Sequence, residues 1–491
     1  MRLSLALFAA AIAAGCAPVG PDFVRPDAPE HPAWLEAEIG AFETSPAELA
    51  GWWRTLEDPV LDELIEAAHR HNNNLEIAGL RVLEAQANLG IAAGLKYPQA
   101  QVAVGDATAV GASESAANTA AGDLEFTQYN LGASVSWEMD FWGRFRRGVE
   151  AADAALLASV ADYDDLLVLL TAQVVDVYVV VRTTEEQLRL AKDSLAIQER
   201  SYEIVDVLFR NGESSELDAL QAKTLLLSTR ASIPPLEAAL KQARNALAIL
   251  LGETPGDIET RLKGEGLLPV VPETVLVGVP ADLLRQRPDV RAAEYRARAQ
   301  NALVGVATAD LYPSFSLNGF LGLTAAGNTE TTRTGESGFG ELFRAESLTY
   351  SAGASFVWPF LNYGRIRNNI LVQDTRLRQA LVAYRETVIR AAREAEDAMA
   401  EYLAARQQDL VLTETVQVAQ RSAELSMLRY QEGFADYQRV LNSQQALFTQ
   451  QQRYAANRGA VIRGLAAIYR SLGGGWQDAI RPADRIEQDG Q

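Results

Sequence analysis

The sequence contains a single cysteine, Cys16, and three histidines among its 491 residues. One thiol cannot form an internal disulfide or build a cysteine-based metal site. The histidines, His31, His69 and His71, do not have the i, i+4 spacing of a helical metal pair. The sequence also has no Walker loop, no Gly-x-Ser-x-Gly elbow and no dinucleotide-binding glycine motif. We therefore expect no catalytic residues, no bound metal and no cofactor.

Positively charged residues are fewer than negatively charged ones. Lys and Arg number 44 against 64 Asp and Glu, which gives a formal net charge of −20. Such a surface repels a phosphate backbone, so we expect no nucleic-acid partner. Because 48% of the residues are apolar and 22% are charged, the composition is that of a folded chain rather than a disordered one.

The cysteine follows a short targeting segment. Residues 3–14 are apolar, but about a dozen residues cannot cross a bilayer core that needs about 20. Small residues directly before Cys16 resemble a bacterial lipobox, with Ala13 where Leu is usual, and Ala17 is typical of sorting to the outer membrane. We predict a signal peptide over residues 1–15 and a lipid on Cys16; the alternative is an ordinary signal peptide with an incidental cysteine.

The rest of the chain contains two copies of one unit. Segment 132–137 recurs as segment 353–358, an offset of 221 residues, and the same offset relates Gly212 to Gly433. Each copy has the pattern helix, strand, loop, strand, long helix, turn, long helix. We predict a lipidated linker, a first repeat, a second repeat and a polar tail over residues 16–55, 56–275, 276–473 and 474–491.

Two segments of each repeat have the alternation of a β-strand. Apolar and polar residues alternate strictly over residues 128–140, and the second copy repeats the pattern over residues 348–360. Their predicted partners are residues 99–107 and 314–323. A soluble sandwich could show this alternation, but transmembrane strands need about 9–11 residues and carry aromatic residues near the membrane interfaces.

Four strands cannot close a barrel, and lipid does not tolerate an open sheet edge. The smallest bacterial barrels have about eight strands, so the chain must share strands with at least one copy of itself. Three copies would give twelve strands.

Long helices follow each pair of strands. They are predicted over residues 143–210, 215–251, 364–431 and 436–472. Two apolar rows repeat every seven residues along the first helix, which favours a ring of helices over a free-standing antiparallel coiled coil. Pro234 and Pro235 interrupt the pattern in the second helix, where we expect a bend. The apolar stretch 166–181 contains Gln173 and Asp176, so we expect it to be buried in the protein rather than in a bilayer.

Several motifs resemble those of the TolC-like outer-membrane factors of drug-efflux systems. They are residues 20–26 (Gly-Pro-Asp-Phe-Val-Arg-Pro), residues 53–61 with Leu56 where Phe is common, residues 280–294 around Arg287-Pro288-Asp289, and residues 472–476. The resemblance implies a trimer with a twelve-stranded transmembrane β-barrel, continued by an equatorial region and a periplasmic α-helical barrel. It also implies a periplasmic adaptor protein and an inner-membrane transporter, most often of the resistance-nodulation-division type, as partners.

The same resemblance implies a gate at the periplasmic helix turns. Asp436 is expected to form an acidic constriction and to act as a helix N-cap, with Phe434 and Ala435 as the apolar part of the closure. Gly212, Glu216 and Gly433 are expected at the tips that meet the adaptor.

Three functions remain open on the sequence. The favoured one is a small-molecule efflux duct in the outer membrane. The second is a duct for type I protein secretion, and the third is a periplasmic coiled-coil lipoprotein without a pore.

Overall fold

The computed structural model describes residues 18–27, 34–35, 42–43, 49–113, 115, 124–262, 266–272, 274–276, 284–328 and 338–477. The predicted signal peptide, Cys16, His31 and most of the polar tail lie outside these residues. The chain divides into two compact units. The first comprises the residues up to Pro26, Leu83–Ala158 and Glu294–Ala383, and the second comprises Asp27–Val82, Ser159–Ala293 and the residues from Tyr384 onward.

The longer elements follow the order that the two repeats predict. The first repeat contains α1 (Pro59–His71), α2 (Asn73–Gly94), β2 (Ala100–Gly111), β3 (Glu125–Met139), α3 (Arg144–Arg210), α4 (Glu216–Leu250) and α5 (Ile258–Arg261). The second contains α6 (Pro288–Ala309), β5 (Ser314–Asn328), β6 (Leu348–Val357), α7 (Arg365–Gln431) and α8 (Tyr437–Ser471). Two-residue strands β1 (Phe42–Glu43) and β4 (Val275–Leu276) pair with each other, and short 3-10 helices cover Trp52–Leu56, Phe339–Glu341 and Ala345–Ser347.

The first unit is built on one antiparallel sheet in the order β2-β3-β5-β6. One face is polar, and hydrogen bonds run across it from Ser136 to Asn318 (2.7 Å) and from Asn318 to Ser355 (3.0 Å). The other face presents apolar side chains such as Leu321 and Tyr350, which are 61% and 78% exposed. Among the described strands, β2 and β6 have one edge each without a partner.

The predicted fold class, an α+β chain of two repeats with four strands and long paired helices, is confirmed for the single chain. The limits of β2, β3 and β5 differ from the predicted ones mainly at the loop ends. β2 continues to Gly111 instead of residue 107, β3 begins at Glu125 instead of residue 128, and β5 continues to Asn328 instead of residue 323. β6 ends at Val357, three residues before the predicted limit, because Pro359 has no N–H to extend the ladder.

The apolar stretch 166–181 lies within α3, the one helix in the described residues that is long and apolar enough to cross a membrane. Most of this stretch is buried against the rest of the chain, and Val174, Val175 and Tyr178 have no exposed surface. The structure thus places it in the protein core, as the two polar residues within it predict. In α4 the proline pair does not end the helix, which continues through both prolines to Leu250.

The second unit contains a buried ion cluster around Arg287. Its guanidinium binds both carboxylate oxygens of Asp289 (3.0 and 2.8 Å), Glu394 (2.9 Å) and the carbonyl oxygen of Ser471 (2.6 Å). The motif at residues 287–289 therefore joins the start of α6 to α7 and to the end of α8.

Candidate functional site

The two long helices α3 and α7 end in the same way. Gly212 and Gly433 have φ angles of 79° and 78°, a left-handed conformation that glycine adopts without strain. In the first turn, Gly212 N–H donates to Phe209 O (2.9 Å) and Glu213 N–H donates to Leu208 O (2.8 Å), the pair of bonds that defines a Schellman motif. The second turn repeats both bonds, so each chain direction reverses within about five residues.

The two returning helices begin differently. Ser215 accepts a hydrogen bond from the backbone N–H of Asp218 (3.1 Å), and the Asp218 carboxylate accepts one from the backbone N–H of Ser215 (3.3 Å). This is a complete capping box. Asp436 occupies the same position in the second copy with an extended backbone, but its side chain makes no cap hydrogen bond. The residue at the third helical position there is Arg439, which cannot accept the reciprocal bond.

The Asp436 carboxylate is therefore available for other contacts. Across the residues that the structure describes, it has no hydrogen bond and no ion pair, and it is exposed. Phe434, two residues earlier, is 78% exposed, and Ala435 between them is half-buried. An acidic and an aromatic side chain thus project from one turn, where each can meet a neighbouring molecule.

A small apolar cluster holds the two turns together at this end of the second unit. Its buried members come from α3, α4 and α8, and Tyr430 of α7 packs against them. The Tyr430 and Tyr437 rings meet edge to face with centroids 5.2 Å apart. Burial raises the pKa of Tyr437 to about 12, and the neighbouring Tyr430 and Asp218 add to the shift. The cluster members are Val205, Ala219, Ala222, Tyr437 and Val440, with Tyr202, Met427, Tyr430 and Leu441 partly buried around them.

A hydrogen-bonded contact also links the first turn to the second. The Ser214 hydroxyl lies 3.1 Å from Asp218 Oδ2 and 3.4 Å from the Tyr430 hydroxyl. The structure therefore brings the predicted tip residues of both repeats, Gly212, Glu216, Gly433, Phe434, Ala435 and Asp436, to one end of the helices. We call the two turns together with the first residue of α4, residues 211–216 and 432–436, the tip.

A groove of about 640 Å³ runs along α3, α7 and α8 near the tip. Its walls are mainly apolar, and they include Ile197, Ile204 and Leu447. Two buried glutamines lie in it: Gln444 donates to the Ser201 hydroxyl (2.8 Å), while the carbonyl oxygens of Gln198 and Gln444 have no hydrogen-bond partner among the described residues. Buried amide oxygens that accept no hydrogen bond favour the binding of a ligand or partner that supplies hydrogen-bond donors.

No group of three or more His, Cys, Asp or Glu side chains in the described part of the chain could hold a metal ion. His69 is committed to a hydrogen bond with the Thr171 hydroxyl, at 2.8 Å.

Four residues of this region were not among the site residues predicted from the sequence: Tyr430, Tyr437, Gln198 and Gln444. The two tyrosines lie close in sequence to the turn at residues 432–436, and this position alone could have marked them as residues that support the predicted gate. The glutamines interrupt apolar rows of long helices, and a polar residue at a seam position is a recognisable sign of a specific contact.

Comparisons with known proteins agree with this architecture. The sequence profile of the family described as "Outer membrane efflux protein" matches residues 64–253 and 279–474, one segment in each repeat. The toluene efflux pump outer membrane protein TtgF of Pseudomonas putida is 30% identical over 486 residues, with 97% of each chain covered. The cation efflux system protein CusC of Escherichia coli is 28% identical over 471 residues, with 94% of this chain and 96% of that protein covered. The structure of the outer-membrane channel OprN superposes with a TM-score of 0.85 at 31% identity, covering 94% of this chain and 99% of that one.

Proposed function

Because the chain belongs to the outer membrane efflux protein family, we propose that it forms the outer-membrane duct of a tripartite efflux pump. The family consists of channels rather than enzymes, and the proposed activity is passage through a pore without bond chemistry. The partners are a periplasmic adaptor protein and an inner-membrane transporter, for which the resistance-nodulation-division type fits best.

The observation that carries this proposal is the open four-stranded sheet. It has an apolar face, a polar face and two edges, on β2 and β6, that pair with no described strand. Unpaired backbone groups are not tolerated in the hydrocarbon core, so the sheet must join other copies of itself. Three copies close twelve strands into a barrel with the apolar faces toward lipid and the polar faces toward the lumen.

The tip is the proposed gate. Three copies of Asp436 around the symmetry axis form an acidic constriction, and the exposed Phe434 and half-buried Ala435 supply its apolar rim. The absent cap hydrogen bond supports this role, because the carboxylate is not required by its own helix. Adaptor binding then has to overcome a difference of only a few kcal/mol between closed and open rings.

The adaptor is proposed to meet the tip at Gly212, Glu216 and Gly433. A Cβ added to either glycine would have no neighbouring atom within 4 Å, so the turns offer a surface on which another backbone can approach closely. The groove beside the buried Gln198 and Gln444 continues this surface along the helices.

The anchor is proposed to be a lipid on Cys16. The predicted signal peptide ends directly before this residue, and the relatives include a probable outer membrane lipoprotein, SilC of Salmonella typhimurium. The lipid and the barrel both attach the protein to the outer membrane.

Accumulation assays in cells test the proposed function. Strains with and without the protein are compared for uptake of an aromatic solvent and of a metal cation, the classes named for TtgF and CusC. We expect at least one compound to accumulate several-fold in the deletion strain and to return to the normal level with the wild-type gene. Unchanged small-molecule levels, together with loss of a polypeptide from the medium, would instead assign the duct to type I secretion.

A further inference from the structure

The first described residues of the chain lie against the base of the sheet in the first unit. We call residues 18–26 the strap. The Val19 backbone N–H donates to the carbonyl oxygen of Trp142 (2.9 Å), directly after β3. The Asn301 side chain donates to the carbonyl oxygen of Pro21 (2.8 Å), and Arg25 pairs with Glu294. The strap is thus bound both to the segment that follows β3 and to α6.

Arg147 is the centre of this binding site. Its side chain is only 4% exposed, although it lies at the start of a helix near the surface. It donates to the carbonyl oxygens of Val19 (3.2 Å) and Gly20 (3.3 Å) and to the carboxylate of Asp22 (2.7 Å). Its other partner is Glu150, at 2.7 Å. Three of the four partners of a buried guanidinium therefore belong to the strap.

Two close backbone contacts complete the site. A Cβ on Gly20, whose φ is +90°, would lie 2.5 Å from the Cα atom of Gly305. A Cβ on Gly143 would meet the Pro18 ring. The backbone of the strap approaches the rest of the unit so closely at these two points that only glycine fits. The strap and its binding site are therefore complementary in shape.

The second repeat contains the same junction, but no described segment lies on it as the strap lies on the first. At the 221-residue offset, Gly143 corresponds to Gly364 and Arg147 corresponds to Asn368. A Cβ on Gly364 would meet nothing closer than Asn368 Nδ2 at 3.8 Å. Asn368 is exposed, as is Tyr363 before it. Of the two corresponding junctions, the one under the strap has a buried arginine and the other has an exposed asparagine.

We propose that the strap and its Arg147 site form a docking device that fixes the membrane anchor to the base of the barrel strands. Cys16 precedes Pro18 by two residues, and a chain spans at most about 3.6 Å per residue, so a lipid on Cys16 starts within about 7 Å of Pro18. This inference rests on the proposed lipidation and barrel assembly, and it adds that docking sets where the lipid enters the membrane.

The residues beside the docked strap support this position. Trp142, which accepts the hydrogen bond from Val19, stacks on Tyr312 with ring centroids 4.5 Å apart, and its indole N–H donates to Pro313 O (2.8 Å). Both aromatic residues lie where a strand meets a helix, the position of an aromatic belt in a barrel. Acyl chains that start here enter the membrane beside the strand ends. Assembly of the strands then occurs at a depth set by the anchor.

Two variants remove docking from opposite sides. Arg147→Met removes the hydrogen-bond donors and keeps most of the side-chain volume, whereas Gly20→Ala changes only the strap and places a Cβ against Gly305. The full-length protein is extracted in detergent from isolated outer membranes and studied by native mass spectrometry and by hydrogen–deuterium exchange. We expect an unchanged lipidated subunit mass, at least tenfold faster exchange in the peptide that contains Val19, and at least threefold less trimer for both variants.

Matched controls separate docking from general damage. Asn368→Met changes the corresponding residue of the second repeat, and Val24→Ala changes an exposed residue of the strap; both should match the wild type. Cys16→Ser removes the lipid and keeps the strap, so the Val19 peptide should stay protected. If Arg147→Met does not fold, the exchange rate and trimer yield of Gly20→Ala alone test whether the strap docks as proposed.

Wild-type-like exchange and trimer yield in Gly20→Ala would overturn the inference, as would loss of protection in Cys16→Ser. A wild-type protein that is not a lipidated trimer would instead contradict the proposed function, so the two failures are distinguishable.

Discussion

The guanidinium of Arg287 donates a hydrogen bond of 2.6 Å to the carbonyl oxygen of Ser471, 184 residues later in the chain. Ser471 is the last residue of α8, and the final carbonyl groups of a helix have no partner within the helix. A positive charge at this end also complements the helix dipole. The motif by which the sequence resembles efflux ducts therefore closes the last helix of the second repeat.

Replacement of Arg287 by methionine tests this relationship. The change leaves Asp289 and Glu394 without their buried cation, and breaking one side of a buried pair costs about 3–5 kcal/mol. We predict that Arg287→Met lowers the thermal unfolding midpoint of the detergent-extracted protein well below that of the exposed control Arg285→Met. Equal midpoints would show that the cluster does not stabilise the fold.

Asp165 adds a pH dependence to the same region. Burial raises the pKa of Asp165 to about 6, and repulsion from Asp289 adds to the shift while Arg287 opposes it. Asp162 and Glu394 are the other charged groups that face this carboxyl and raise its pKa. Because the folded state binds this proton more tightly than the unfolded chain, whose Asp has a pKa near 3.8, stability falls as the pH rises from about 4 to about 6.

Asp165→Asn should remove this loss. We predict that the variant is more stable than the wild type at pH 7.5 by roughly 1–3 kcal/mol and that the gain disappears toward pH 4. Thermal unfolding at several pH values measures the difference, with the exposed Asp193→Asn on the same helix as control. A gain that is the same at pH 4 and pH 7.5 would mean that ionisation of Asp165 is not its cause.

Gly132 and Gly322 face each other across β3 and β5, with the Phe320 ring over both. A Cβ on Gly322 would lie 2.7 Å from Leu131 O and 2.7 Å from Phe320 Cζ, so the strands must separate to accept one. We predict that Gly322→Ala destabilises the barrel by about 1–3 kcal/mol and lowers the temperature at which trimers dissociate.

The same strand supplies the control for this change. Gly319→Ala places a Cβ 4.0 Å from its nearest neighbour, Ser351 O, and should dissociate at the wild-type temperature. Equal behaviour of the two variants would mean that the close approach of β3 and β5 does not limit the barrel.

Asp436→Ala should open the gate without destabilising the helix. The carboxylate makes no cap hydrogen bond, so we expect a stability change below about 0.5 kcal/mol but a larger conductance of the closed duct in planar bilayers. Cells that carry the variant should also become sensitive to vancomycin. Ser215→Ala removes the capping box of the first repeat, so it should lower the folding stability by about 1 kcal/mol. It should leave the conductance of the closed duct unchanged. Unchanged conductance and vancomycin sensitivity in Asp436→Ala would contradict the gate assignment.

The strands and long helices could be predicted because their signals are local. Alternation over residues 128–140 depends on neighbours in the chain, and the strand found there, Glu125–Met139, has the expected two faces. The pairing of Gly132 with Gly322 could not be predicted in the same way. Alternation specifies a face but not a register, and these glycines are separated by most of the first repeat.

The candidate site was predictable in part. The left-handed glycines and the cap positions follow from turn chemistry, which needs only a few residues. Whether the Asp436 carboxylate accepts a cap hydrogen bond depends on its rotamer, which the sequence does not specify. The reciprocal bond of a capping box also needs an acceptor at the third helical position, where Arg439 stands in place of Asp218. The partners of Arg147 and Arg287 come from distant segments, so their motifs can be recognised in the sequence while their contacts cannot.

The proposed function requires that separate chains pool their four strands into one barrel in the outer membrane. Native mass spectrometry of the protein extracted in detergent from isolated outer membranes measures this assembly. We predict a trimer whose subunit lacks residues 1–15 and carries acyl mass on Cys16. A soluble, unlipidated monomer or dimer would contradict it and would return the chain to the class of coiled-coil proteins without a pore.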